Sequence, residues 1–425
     1  MFATLKQIFK PTNKDIKKRL LFTLLVLLVF RVGTSIRVPG TEDVTSNLGF
    51  LELINTMGGG ALKQFSIFAL GVMPYITASI IISLLQSSDI IPYLTELKNQ
   101  GEVGRHKINK VTRYIGLAFA FVQGYMFSFT FLGNSGTPME YMRIAIILTA
   151  GTAFLLWLGD QVTQKGLGNG ISLIIMAGIV STMPKMFIDA YNALISSGTS
   201  TLFIGIVSFS IFTLVYLGIV VGMIYIQISE RRVPIQYSNM TRSSYGAKQS
   251  YMPLKINSAG VIPVIFASTI IAIPTTIAQF IKNDSFSLFA QKYLSFSSVV
   301  GFSLYIILII AFSYFQTYMQ INPKELSENL QKNGGYIPGI RPGDQTKIYI
   351  KQVLSRLTAI GALFLVIIAA LPILFSTFTN LPTSVTIGGT GLLIVVGVAL
   401  ETYKQLESSL ISRSYKGGYK RLWKT

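Results

Sequence analysis

No cysteine occurs in the 425 residues, which excludes disulfides, thiolate metal sites and cysteine nucleophiles. The single histidine, His106, lies in a charged stretch, so histidine-based zinc sites and a Ser-His hydrolytic pair are excluded too. Charge is scarce. Only 12% of residues are Asp, Glu, Lys or Arg against 51% hydrophobic, and between Lys63 and Asp89, Asp189 and Glu230, and Arg356 and Glu401 there is none at all. Proton- and sodium-coupled transporters place ionisable side chains at mid-membrane, and these runs leave almost none there. No paired acids or metal-ligand spacing falls inside them, which argues against an enzyme, and Gly166-Leu-Gly-Asn-Gly170 lacks the Lys-Ser/Thr of a phosphate-binding loop.

What is present is apolar and long. A mean hydropathy of +0.55 over 425 residues makes the chain a polytopic helical membrane protein. Lys17-Lys18-Arg19 precedes an apolar run toward Val38 without a plausible cleavage site, so no cleavable signal is expected. The chain is organised around Gly58 to Gln86, a run long enough to span a bilayer core yet interrupted by Gly71 and Pro74. Because glycine weakens a helix and proline removes a backbone donor, a half-helix before Gly71 and a second from Pro74 are expected. Taken alone, the run is equally a kinked structural helix. An internal repeat favours the broken one: GVMPYITASIII at Gly71 to Ile82 aligns without gaps on GVIPVIFASTII at Gly260 to Ile271. Interrupted apolar segments at matching places in two halves mark a transport path at their interface.

Read in order, residues 1–19 form a basic amphipathic lead, and ten apolar spans follow from Leu20 to about residue 403. Arg31, near the end of span one, is read as snorkelling to the interface. Charged loops at 229–256 and 322–356 separate spans six from seven and eight from nine, and 404–425 is a basic tail. Ten spans put both termini on one side, and 29 of the 36 Lys and Arg fall on that side, which the positive-inside rule makes cytoplasmic. Span two then runs inward and span seven outward, an inverted repeat of two five-helix halves, 20–190 and 191–403. The net charge of +19 is mostly this asymmetry; it suits anionic lipid and, in the loops, the phosphates of a ribosome. The turn around Arg341, stiffened by proline and glycine, is read as a docking element for a cytosolic partner. Aliphatic residues at the breaks, Val72, Ile76 and Ile265, suit either ordinary core or a constriction that seals by dewetting. A carrier for a small apolar or zwitterionic solute and a scaffold for a membrane complex remain competing classes.

Four stretches carry a resemblance that covers essentially the whole chain: FALGVMPYITASIIISLLQ, WLGDQVTQKGLGNGISLII, PLKINSAGVIPVIFAS and NPKELSENLQKNGGYIPGIRPGDQT. They resemble the SecY family, the channel subunits of the bacterial protein translocon. The resemblance implies an all-α, ten-helix clamshell of two inverted halves in a bacterial plasma membrane, with both termini cytoplasmic. Such a channel passes unfolded secretory proteins across the membrane and releases membrane segments sideways. It implies a pore ring at Val72, Ile76, Ile171, Ile175, Ile265 and Ile394, with Val72 where many members have isoleucine. It implies a plug over residues 61–70, with Ala61, Leu62, Phe65, Ser66, Ile67 and Phe68 in it. It also implies a lateral gate with Pro74, Thr77 and Ser79 on span two and Pro263 and Ser268 on span seven. Docking of the SecA motor or a ribosome is implied at Arg242, Lys248 and Arg341, with Arg242-Ser243 where many members have two adjacent arginines. SecE and SecG are the implied membrane partners, a secretory precursor with its signal peptide the substrate. No cofactor or metal is implied, and energy comes from SecA, the ribosome or the membrane potential.

Overall fold

The computed structural model describes residues 14–41, 55–56, 58–87, 91–132, 137–196, 202–237, 250–280, 289, 292–294, 298–379 and 383–422, which are mostly helical. Two compact units are formed: Met1–Ile206 with Leu381–Thr425, and Val207–Asn380. Five helices among the described residues are long and apolar enough to cross a membrane: Pro138–Lys165, Gly170–Ile195, Gly205–Ile228, Val299–Lys332 and Asp344–Leu371. The repeated segments form two shorter apolar helices.

The first unit contains α1 (Lys14–Thr34), α2 (Met73–Ser87), α3 (Pro92–Asn99), α4 (Glu102–Leu132), α5 (Pro138–Lys165) and α6 (Gly170–Tyr191), with the start of α7 (Leu202–Ile228). The final helix, α12 (Thr383–Leu422), packs along α6 in this unit, and the division by packing thus differs from the one drawn from the repeat. Helix starts follow local chemistry. Thr137 and Glu140 form a reciprocal capping box with Pro138 at the first helical position of α5, and the Asn169 side chain accepts from the Ile171 and Ser172 amides at the start of α6. Within the apolar helices hydroxyls bond their own backbone, as Ser128 does to the Gly124 carbonyl (2.7 Å) and Thr163 to that of Gly159 (2.9 Å). Small residues let helices approach closely: a Cβ on Gly124 would lie 3.3 Å from Ala145 Cα, and one on Gly116 3.1 Å from Tyr75 Cα.

The second unit holds the rest of α7, then β1 (Glu230–Tyr237), β2 (Ser250–Lys255), α8 (Ile262–Phe280), α9 (Val299–Gln320), α10 (Pro323–Lys332), β3 (Gly335–Tyr336) and α11 (Asp344–Thr379). Helix α9 packs on α8 and on α11. The two charged loops, expected as protrusions in an all-helical chain, contain an antiparallel sheet ordered β2-β1-β3. Glu230 pairs with Lys255 and Ile235 with Ser250 on one side of β1, and Gln236 pairs with Tyr336 on the other. Alternation along β1 turns Val233 and Ile235 inward onto Leu254, Leu330, Ile337, Ile350 and Leu354, so the loops own a hydrophobic core.

Candidate functional site

Both glycines that open the repeat adopt a left-handed backbone, Gly71 at φ 55° and Gly260 at φ 67°, and two residues later each leads into a helix. Pro74 and Pro263 are then second residues of α2 and α8, where the missing amide is an orphan anyway. The expected half-helix before Gly71 is corrected: 58–72 is a succession of turns. Gly59, Gly60 and Gly71 all have positive φ, as does Phe65 at 45°, and local bonds such as Phe65 amide to Leu62 carbonyl (3.0 Å) close turns rather than helix.

This non-helical stretch is nevertheless deeply buried, with Ala61, Leu62, Phe65, Ser66, Phe68, Ala69 and Leu70 inside, Ile67 half-buried and only Lys63 and Gln64 exposed. Buried irregular backbone requires partners, and the residues after α1 supply some. The Val38 amide donates to the Phe65 carbonyl and the Ile67 amide to the Ile36 carbonyl, both at 3.0 Å, around an antiparallel bridge between Arg37 and Ser66. Phe68 stacks between Phe30 of α1 (6.3 Å between centroids) and Phe154 of α5 (6.1 Å). Phe65 meets Phe131 of α4 edge-on at 5.0 Å. Arg31 is exposed and donates to the Gly59 carbonyl at 3.1 Å, so its guanidinium reaches the base of this segment.

Of the aliphatic residues expected to converge, five belong to the first unit. Val72 and Ile76 beside the first break, Ile175 on α6 and Ile394 on α12 are buried, and Ile171 is half-buried one turn before Ile175. Ile265 is half-buried on α8 in the second unit. The start of α6 is fixed by the turn Gly166 to Gly170. The Leu167 amide donates to Thr23 Oγ1 of α1 (3.1 Å) and the Gly170 amide to Thr163 Oγ1 of α5 (2.9 Å). Gly159 and Gly170 touch back to back, leaving no room for a Cβ on Gly170.

On α2, Pro74 and Thr77 are buried and Ser79 half-buried; the Thr77 hydroxyl donates to the Met73 carbonyl at 3.2 Å. On α8, Pro263 and Ser268 are buried, and the Ser268 hydroxyl donates to the Ile265 carbonyl at 2.9 Å. Arg242 and Lys248 lie outside the described residues. Arg341 is exposed on the turn between β3 and α11, its carbonyl accepting from Thr346 (2.9 Å). On the sheet, Arg232 bonds Glu230 at 3.0 Å and lies over the Tyr251 ring at 4.8 Å; the Glu230 hydrogen bond holds the guanidinium more firmly protonated. Sequence reasoning missed Phe30, Gly33, Gly151 and Phe154 around the buried segment, because neither spacing nor composition indicates which distant residues meet.

The fold and its two matched breaks define a class: an apolar helical membrane protein with interrupted spans, the first preceded by a buried stretch of turns. The SecY family model matches residues 66–403. Protein translocase subunit SecY of Bacillus subtilis (strain 168) is 48% identical over 431 residues, covering 98% of this chain and 99% of its own length. The solved structure of a protein conducting channel superposes with a TM-score of 0.66 at 20% identity over 93% of each chain. Sec61 in a canine ribosome-channel complex from the endoplasmic reticulum superposes with a TM-score of 0.65, at the same identity and coverage. The chain belongs to the SecY family.

Proposed function

We infer that the chain is the central protein-conducting channel of a bacterial Sec translocon, a passive conduit and not an enzyme. The observation that carries the reading, within a SecY family member, is a buried stretch of turns running straight into one of two matched helix breaks. Broken backbone at membrane depth survives only against protein or a water-filled path. A segment so placed, mostly apolar and not committed to a helix, suits a plug over residues 61–70. Val72, Ile76, Ile171, Ile175, Ile265 and Ile394 are the proposed constriction, where aliphatic side chains exclude water at rest and yield to a passing chain. The proposed lateral gate runs along α2 from Pro74 and along α8 from Pro263, the starts of the two repeated helices.

Ten spans in two inverted halves, 20–190 and 191–403, with both termini cytoplasmic, are the proposed topology, supported by the repeat and by the placing of Lys and Arg. Arg242, Lys248 and Arg341 are the proposed contacts for SecA or a ribosome; the exposed Arg341 turn suits a phosphate-rich partner. SecE and SecG in the membrane, a secretory precursor with its signal peptide, and anionic lipid complete the proposed partners.

The absence of native cysteine makes the path testable. With one cysteine introduced at Ile76 or Ile265 and a precursor carrying its own cysteine arrested in mid-export, a disulfide is expected only while the precursor is arrested. No crosslink from either position, with the precursor engaged at the Arg341 loop, would separate docking from conduction and remove the pore assignment.

A further inference from the structure

Residues 58–71 are gripped by features on four helices, α1, α4, α5 and α6, and one short extended segment, and two of those features are spaces. At Gly33 of α1 a Cβ would overlap the Phe68 ring, and at Gly151 of α5 it would overlap the Ile67 carbonyl. On α6, a Cβ on Gly59 would lie 3.1 Å from Ser181 Oγ and 3.2 Å from Gly178 Cα. The spaces at Gly33 and Gly151 bracket consecutive residues, and the Ile67 amide is the one that donates to the Ile36 carbonyl. Ring stacking on Phe30 and Phe154 adds to the grip on Phe68. A Cβ in either space would push out the ring or the backbone.

We propose that Gly33 and Gly151, with the extended pairing of Ile36–Val38, form the seat that holds the plug closed, and that they set how readily the channel opens. The inference rests on reading 61–70 as the plug. These glycines are positioning residues that act through Phe68 and Ile67; they touch no substrate. Each was available to be read as an ordinary close-packing glycine of a membrane helix. What separates the two readings is the partner: both press on the turn segment. The seat is also reversible by construction. It consists of two backbone hydrogen bonds, one arginine contact and ring stacking, with no ion pair and no covalent link to the plug among the described residues.

The geometry supplies its own probe. Arg37 and Ser66 are flanked by, and do not share, the two hydrogen bonds of their bridge, so they form the close type of antiparallel pair. In such pairs the Cα atoms lie about 4.5 Å apart, within the span of a disulfide. In membrane vesicles carrying the whole translocon, an Arg37→Cys, Ser66→Cys chain is expected to close its disulfide at rest, to stop precursor export while closed, and to resume it on reduction. Adding Gly33→Ala or Gly151→Ala is expected to slow disulfide closure several-fold, and each alanine alone to raise the efflux of a small trapped dye by a similar factor. In a Phe68→Ala background, Gly33→Ala is expected to add nothing, because the ring it displaces is gone. Variants are compared at equal membrane content. Unchanged closure and efflux in both alanine variants would overturn the seat, and so would a full Gly33→Ala effect in the Phe68→Ala background, which would assign that glycine to helix packing. A closed disulfide that leaves export running would overturn the plug reading and the seat's gating role with it, and is recognisable because the alanines would still slow closure.

Discussion

Gly71 and Gly260 carry the same backbone break in two places, and the cost of losing it is calculable residue by residue. A left-handed conformation disfavours a residue with a Cβ by about 1–2 kcal/mol, and asparagine tolerates it better than alanine. Gly71→Ala and Gly260→Ala are each expected to lower the thermal midpoint of the detergent-solubilised protein, and Gly71→Asn to lower it less. Equal effects of alanine and asparagine would mean that space at Gly71, rather than φ, is limiting. A Cβ there would meet only Gly58 Cα, at an ordinary 3.7 Å, so φ is the expected determinant. These glycines were legible in the sequence because the repeat pairs them. Phe65, at φ 45°, was not legible, since an aromatic residue carries no signal for a left-handed turn. The half-helix expected before Gly71 failed on a tertiary ground: the segment is apolar enough to be helical, but beside its local turn bonds two of its backbone hydrogen bonds go to Ile36 and Val38, whose pairing with it is set by tertiary structure.

At the level of elements, the two charged loops are one object. Strand β1 pairs with β2 and, from about a hundred residues away, with β3, and the Tyr336 hydroxyl donates to Gln236 Oε1 at 3.0 Å to fasten that second edge. Charge marked both stretches as loops, and proline and glycine marked the second as protruding. Their pairing left no trace in either loop alone, because two residues of β3 are too short a run for alternation to register. The platform is held by Leu354 of α11, fully buried against Val233, Ile235 and Leu254. Truncating such a leucine costs about 2–5 kcal/mol, enough to loosen a small sheet. Leu354→Ala is therefore expected to speed tryptic cleavage after Arg231 and Arg232 and to weaken cosedimentation with ribosomes. Faster cleavage with undiminished ribosome binding would mean that the docking residues work without the sheet, as a flexible basic loop.

For the molecule as a whole, the proposed orientation rests on charge, and one pair of helices makes it testable. Helix α4 has 31 residues, roughly 46 Å of helix against a bilayer core of roughly 30 Å, so about ten residues must project beyond the hydrocarbon. The stretch from Glu102 to Arg113 holds every charge of that helix, and it identifies the projecting end. Helix α5 returns beside it, and Arg113 Nη2 meets Asp160 Oδ2 at 2.5 Å. That contact sets the charged end of α4 level with the end of α5 that carries Lys165, while Leu132 and Pro138 are joined by a short connection at the other end. If the basic side is cytoplasmic, Lys107 and Met139, both exposed, belong to opposite compartments. A lone cysteine at Lys107 is expected to react with a membrane-impermeant maleimide only in inside-out vesicles, and one at Met139 only in intact spheroplasts. Reaction of both from one side would break the ten-span count between α4 and α5. Exchange of the two sides would keep the count but invert the orientation, and would put the Arg341 turn where neither a motor nor a ribosome can reach it.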